Sequence, residues 1–345
     1  MVEVKVSGTQ ANSSVFIGES IQNIGKYLPS TSIFVITDLK VNQLYGNYFN
    51  SYPTFNIGQG EEHKSLKTVE QIYRWLLENN ADRGSFILAV GGGLVCDVAG
   101  FVASTFMRGI RFGFVSTTLL SQVDASVGGK NGVNLDGYKN IIGTFSQPEF
   151  VICDPEMLKT LDERDYISGL AEVVKHTLIA DELMLSYIDL NFEKLLDRDP
   201  ETINRVVENS VNIKAAVVSR DEREKGERRK LNLGHTWGHA VEKVTHLPHG
   251  ESVSIGLMFA AKLSELRGLL TPTEVEQLKN ILNKLKLPTK AEFDKPEVFK
   301  HMLKDKKKEK SLIYFVLLNG LGKVVVEPIT TKELEEAFKI LEDSL

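Results

Sequence analysis

SFILAVGGGLVCDVAG (85–100) decides the fold, because a short apolar run passes directly into three glycines and then into a segment compatible with helix. Ser85–Val90 has no polar alternation, so it reads as a strand buried on both faces, the kind found in parallel sheets. Gly91, Gly92 and Gly93 would let the backbone approach a ligand closely. The first amides of the following helix can then hold a pyrophosphate. Gly91 and Gly93 match the first two glycines of GxGxxG, and Cys96 stands at the third place. A tight strand-to-helix turn with no ligand accounts for the three glycines equally well.

Outward from this stretch, strand-like runs at Ser32–Thr37 and Phe112–Ser116 flank it, and Phe150–Cys153 closes the series. Leu66–Leu77 has helical spacing, with Val69, Ile72, Tyr73 and Leu76 on one side. Alternation of apolar strands with helices predicts a Rossmann-like α/β amino-terminal domain with a mostly parallel sheet, residues 1–154. After Asp154 the texture changes. Glu201–Ser219, Trp237–Val244, Val253–Leu266 and Thr273–Leu285 read as helices, and Leu312–Leu318 with Val324–Glu327 as one late hairpin. The expectation for residues 155–345 is a mostly α-helical carboxy-terminal domain, with a cleft between the domains as the default site.

Composition bounds the function. With 345 residues, 42% hydrophobic and 25% charged, the chain is ordinary globular protein of about two domains. A net charge of −5 recruits neither nucleic acid nor membrane, so any anion binding must come from local clusters. The amino terminus alternates like a strand and offers no apolar core for a signal peptide. The two cysteines, Cys96 and Cys153, form no CxxC pair, which fits a cytoplasmic protein.

Several segments carry chemistry. DASVGGKNG (124–132) resembles a phosphate-binding Walker A loop but departs from it at Asp124 and Asn131, which argues against ATP. Its glycines beside Lys130 still make an anion cradle, and Lys139-Asn140 adds a second such pair. NLGHTWGH (232–239) sets His235 and His239 four residues apart on one helical face, and His246 and His249 follow. Four of the seven histidines thus fall within 15 positions, which favours a metal site over scattered surface histidines. Two histidines, one carboxylate and an open position make a catalytic zinc geometry, and spacing leaves Glu172, Glu242 and Glu251 as candidate carboxylates. Lys214 lies on an apolar helical stripe with Val207, Val211, Val217 and Val218, so its charge must snorkel or face a polar cleft. Lys175 follows Glu172 by three residues, and simple ion pairing between them is the plain explanation. The mixed-sign run 304–310 reads as solvated surface.

Six blocks in order, GGGLVCDVAGFVASTFMRGIRF (91–112), STTLLSQVDASVGGKNGVN (116–134), GYKNIIGTF (137–145), GLAEVVKH (169–176), DEREKGERRKLNLGHTWGHA (221–240) and HGESVSIGL (249–257), resemble the 3-dehydroquinate synthase family of sugar-phosphate cyclases. The resemblance spans about Asp38 to Lys306. It departs from the family in a shorter loop between His239 and His249, in Ser116 where proline is common, and in Lys40 after Asp38.

What the resemblance implies is a phosphorus–oxygen lyase of the shikimate pathway acting on an anionic sugar phosphate, 3-deoxy-D-arabino-heptulosonate 7-phosphate. The reaction would run through transient NAD-dependent oxidation, phosphate elimination, reduction and intramolecular aldol closure. Asp38, Glu61, Lys64, Gly92, Gly93, Asp97, Thr117, Thr118, Lys139 and Asn140 would contact NAD. Glu172, His235 and His249 would bind a divalent metal, zinc or cobalt, which takes His239 off the metal. Lys130, Asn232, His239 and Lys306 would surround the substrate phosphate, joined by Arg108 from a neighbouring subunit, so a homodimer is expected. Lys214 and Arg228 would hold the substrate carboxylate, with Asp124 and Lys175 near the reacting hydroxyls. The rival readings are a 2-deoxy-scyllo-inosose or valiolone-type synthase, a metal-dependent polyol dehydrogenase, and a nucleotide-binding scaffold without chemistry.

Overall fold

Strands β1 (Val2–Ser7), β2 (Asn12–Ile17), β3 (Ile33–Asp38), β4 (Thr54–Ile57), β5 (Phe86–Gly91) and β6 (Arg111–Ser116) are followed by a separate hairpin, β7 (Lys130–Leu135) and β8 (Tyr138–Phe145), and by β9 (Phe150–Cys153). The main sheet runs β1-β2-β9-β6-β5-β3-β4, and only β1 and β2 pair antiparallel. This is the mostly parallel α/β sheet expected. Every residue of β5 is buried, as the unbroken apolar run requires. Each buried Val, Leu, Ile or Phe contributes roughly 1.5–3 kcal/mol. The computed structural model describes residues 1–9, 11–306 and 312–342, the side chains of 304–306 excepted.

Helix Leu66–Glu78 starts where Ser65 accepts a hydrogen bond from the Thr68 amide, and it buries Val69, Ile72 and Leu76. Helix Gly93–Thr105 leaves β5 through the glycine run and buries a face from Val95 to Ala103. The β7–β8 hairpin, by contrast, lies where only a glycine-rich loop was expected. Asp136 and Gly137 both take positive φ, 50° and 79°, and Leu135 pairs with Tyr138 across them. That is a two-residue hairpin turn of the Asp-Gly kind. The local signal was present at residues 136–137, but the glycine-lysine run before it drew the reading toward an anion loop.

Two compact units result, Met1–Asp162 with Ile203–Arg223, and Glu163–Thr202 with Glu224–Leu345. The second is mostly helical, as expected after the sheet, and holds Glu163–Ala180, His235–Thr245, His249–Leu266 and Pro272–Lys284 among its helices. Among the described residues its one hairpin, β10 (Leu312–Leu318) and β11 (Val324–Thr330), pairs Leu318 with Val324. Trp237 stacks on Phe259 with centroids 4.3 Å apart and planes 3° from parallel, joining two of these helices at the core. Among the described residues, no helix is long and apolar enough to cross a membrane.

Candidate active site

Glycines decide how closely three helices of the second unit approach. A Cβ on Gly250 would lie 1.8 Å from the Ser168 carbonyl oxygen, and one on Gly256 would lie 1.9 Å from that of Gly234. At Gly238 the same atom would come within 2.8 Å of the Ser252 carbonyl. Contacts under 3.0 Å to main chain cannot be relieved by a rotamer change. Helices Glu163–Ala180, His235–Thr245 and His249–Leu266 therefore pack backbone to backbone. The Gly250 amide also donates to Ser168 Oγ at 2.9 Å, one helical turn before Glu172.

This packing brings Glu172, His235 and His249 together. Nε2 of His235 and Nε2 of His249 lie 3.6 and 3.5 Å from Oε1 of Glu172. Two ligands about 2.0–2.2 Å from one cation at the tetrahedral angle stand roughly 3.3–3.5 Å apart, so this donor set fits a divalent ion. The far ring nitrogens are held as well, His235 Nδ1 against the Leu233 carbonyl at 3.1 Å and His249 Nδ1 against Glu242 Oε2 at 3.1 Å. Glu172 is fully buried and forms an ion pair with the equally buried Lys175. Burial, reinforced by the Lys175 ammonium, pushes His235 well below its ordinary range, leaving a neutral imidazole able to ligate. Burial also opposes charge on His249, but the Glu172 and Glu242 carboxylates outweigh it and lift that ring to about 9. A bound cation would take over the compensation that this proton gives.

The other candidates near this group separate by geometry. Glu242 faces the Nδ1 edge of His249, and Glu251 is engaged by Arg164 at 2.6 Å. His239 is exposed, with ring centroids 5.1 Å from His235 and 5.9 Å from His249. It forms a second possible donor group with Glu242 and His249. His246 caps its helix in the left-handed conformation at φ 57°. Asn232 donates to Glu224 Oε1 at 2.5 Å, and Arg228 is buried. Glu224 was hidden in the mixed-charge block 221–230, where alternating signs suggest surface. The side chain of Lys306 lies outside what the structure describes, as do the side chains of 304 and 305 and all of residues 307–310.

In the first unit the glycine turn is a tight main-chain cradle. A Cβ on Gly91 would lie 2.5 Å from Val95 Cβ, one on Gly92 2.9 Å from Thr118 Cγ2, and one on Gly93 3.1 Å from Ala125 Cβ. Gly92 is the N-cap of its helix and supplies no side-chain cap, so a ligand can address the first-turn amides. Thr117 donates its amide to the Gly91 carbonyl at 3.0 Å, and Thr118 Oγ1 bonds Ser121 Oγ at 3.0 Å. Asp38 ends β3 and caps the next helix through the Val41 amide at 2.9 Å.

Asn134 on the hairpin hydrogen-bonds three of the residues that the family resemblance assigns to NAD. It donates to Glu61 Oε1 at 2.7 Å, accepts from the Asn140 amide at 2.9 Å, and donates its own amide to the Lys64 carbonyl at 2.8 Å. Lys64 in turn pairs with Asp97 at 2.5 Å. Burial pushes the Asp97 carboxyl up, with the Lys64 ammonium working against it. Asn134 was not singled out from sequence, because only the hairpin register reveals it. Lys130 and Lys139 are exposed on the same hairpin. Lys214 is buried, and its ammonium meets both the carbonyl and Oδ1 of Asp124, at 2.7 and 2.6 Å. The ammonium does not snorkel to solvent: it is held by Asp124, whose own side chain is only partly buried. Arg108 is exposed in a left-handed turn, with Met107 at φ 48° and Arg108 at φ 70°.

A mostly parallel sheet with a glycine cradle, followed by helices bearing a Glu/His/His group that could hold a metal ion, places the chain in a class of α/β-plus-helical proteins. Solved structures of this shape include a 2-deoxy-scyllo-inosose synthase complexed with carbaglucose-6-phosphate, NAD+ and Co2+ (TM-score 0.88, 25% identity, 98% of this chain and 100% of that one). Another is 2-epi-5-epi-valiolone synthase from Streptomyces hygroscopicus with NAD+ and Zn2+ bound (TM-score 0.87, 25% identity, 99% of each chain). The family models for the 3-dehydroquinate synthase N-terminal and C-terminal regions match residues 54–168 and 169–308. A 3-dehydroquinate synthase from Acetivibrio thermocellus is 40% identical over 350 residues, covering 97% of each chain. The chain belongs to the 3-dehydroquinate synthase family.

Proposed function

We infer that this chain is a phosphorus–oxygen lyase that converts 3-deoxy-D-arabino-heptulosonate 7-phosphate to 3-dehydroquinate and inorganic phosphate, the second step of the shikimate pathway. The observation that carries the reading is the full-length match, at 40% identity, to a curated enzyme of that activity. The converging Glu172, His235 and His249 support it from chemistry. The structural likeness to the inosose and valiolone synthases is lower in identity, 25%, and favours them less.

NAD and a divalent ion, zinc or cobalt, are the cofactors of this reading. When bound, they supply a hydride acceptor that is restored within each turnover and a Lewis acid beside the sugar hydroxyls. Asp38, Glu61, Lys64, Gly92, Gly93, Asp97, Thr117, Thr118, Lys139 and Asn140 are assigned to the nucleotide. Glu172, His235 and His249 are assigned to the ion, and the hydrogen bonds on both Nδ1 atoms keep both Nε2 atoms available to it. Lys175 offsets the charge of buried Glu172 and, with Asp124, is assigned to the reacting hydroxyls of the sugar, where its ammonium would be a proton donor.

The substrate is doubly anionic in an acidic chain, so cations must be local. Lys130, Asn232, His239 and Lys306 are assigned to the phosphate, with Arg108 supplied by a second copy, and the working form is then at least a homodimer. Lys214 and Arg228 are assigned to the carboxylate. Binding at Lys214 must compete with Asp124, which already meets the ammonium at 2.6 Å. Charge-assisted contacts of this kind are worth roughly 1.5–3 kcal/mol each, enough for several to orient the sugar. Two buried, unbridged thiols support a reducing, cytoplasmic setting.

The test is to supply the heptulosonate phosphate with NAD and metal and to follow phosphate release and product identity together. Equimolar phosphate and 3-dehydroquinate are expected. No turnover of that substrate, with a carboxylate-free cyclic product formed when a sugar phosphate lacking the carboxylate is supplied instead, would select the other cyclases, and stoichiometric NADH release would select a dehydrogenase.

A further inference from the structure

Glu242 lies seven residues, about two helical turns, beyond His235 on helix His235–Thr245, and both side chains face His249. Its Oε2 stands 3.1 Å from Nδ1 of His249, while Nε2 of that ring meets Glu172 Oε1 at 3.5 Å. The two carboxylates thus grip opposite nitrogens of one imidazole. A ring that donates Nδ1–H to a carboxylate presents a lone pair at Nε2 and becomes a stronger base there.

We propose that Glu242 is the positioning residue of the metal centre: its carboxylate sets the tautomer and angle of His249 without binding the ion. The inference rests on the reading of Glu172, His235 and His249 as the metal set. His235 and His249 differ in how much they need such a brace. The Nδ1 of His235 meets a main-chain carbonyl, which no side-chain change removes. His249 begins its helix directly after Pro248, and its side chain is 30% exposed against 12% for His235. A more open ring at a helix start has less packing to fix it, so a charged hydrogen-bond partner has more to contribute.

The test titrates metal-stripped protein with Co2+ against a competing chelator, alongside melting of the metal-free forms. Wild type should bind one ion, and Glu172→Ala should lose it. Glu242→Ala should bind roughly 10–100-fold more weakly. Glu242→Gln, whose amide oxygen still accepts from Nδ1, should recover part of that loss while its metal-free form melts with wild type. Wild-type affinity in both Glu242 variants, with Glu172→Ala still defective, overturns the role of Glu242 alone. Failure of wild type to bind any divalent ion overturns the metal reading beneath it. Should Glu242→Ala not fold, Glu242→Gln decides: affinity below wild type supports the brace, and unchanged affinity refutes it.

Discussion

The glycine cradle of the sheet and the Glu/His/His centre of the helices are made of different material. At Gly91–Gly93 the working surface is main chain, and the sequence contributes by leaving side chains out. At Glu172, His235 and His249 the working atoms are side-chain donors, and glycines act one step removed by letting three helices close up. Damage to the first is therefore steric, and damage to the second is chemical. Each should leave the other's ligand untouched.

The largest effect is expected at the centre. Glu172→Gln leaves the buried Lys175 ammonium without its carboxylate, and breaking such a pair costs about 3–5 kcal/mol. Urea unfolding of the metal-free protein measures that cost, and nucleotide binding by the protein that remains folded should be normal. Gly91→Ala tests the cradle from the other side. Its Cβ would press on Val95, so destabilisation of about 1–3 kcal/mol is expected, with NAD affinity lost and Co2+ affinity retained. Loss of both ligands in either variant would break the distinction.

Smaller effects sharpen it. Gly137→Ala at φ 79° places a side chain in the left-handed region, and about 1–2 kcal/mol should be lost in chemical denaturation, because the hairpin turn needs that conformation. Asp97 gives the smallest signal, one visible in pH. Its folded pKa is raised above the ordinary 3.8, so its contribution is full below that value and declines as pH climbs through the folded pKa. The stability of Asp97→Asn relative to wild type should accordingly improve as pH rises from about 4 toward neutrality, as read from urea midpoints. A flat difference would mean that Lys64 cancels the burial.

The sheet was legible because buried parallel strands leave unbroken apolar runs, and SFILAV (85–90) needs no partner to be read. The helical unit was legible through periodicity: Pro272–Lys284 is the expected Thr273–Leu285 shifted by one residue, and His249–Leu266 begins four residues before the expected Val253. The β7–β8 hairpin was not, since the Asp136-Gly137 turn follows a glycine-lysine run whose composition suggests a loop. The histidine cluster was legible as a cluster. Spacing could not choose among Glu172, Glu242 and Glu251, because Glu172 arrives from a helix more than 60 residues earlier in the chain. Family resemblance named it, and the packing of Gly250 on Ser168 gives the physical means by which it reaches His249. Asn134 and Glu224 stayed invisible because their roles exist only through partners brought near by folding.

Metal occupancy tests the central claim most directly. Wild type and the single variants Glu172→Ala, His235→Ala and His249→Ala would be loaded with Co2+, desalted, and assayed for cobalt per chain by elemental analysis. One equivalent in wild type and a marked loss in each variant is the expected outcome. A full equivalent retained by all three variants would mean that the ion sits elsewhere and that these side chains converge for some other reason.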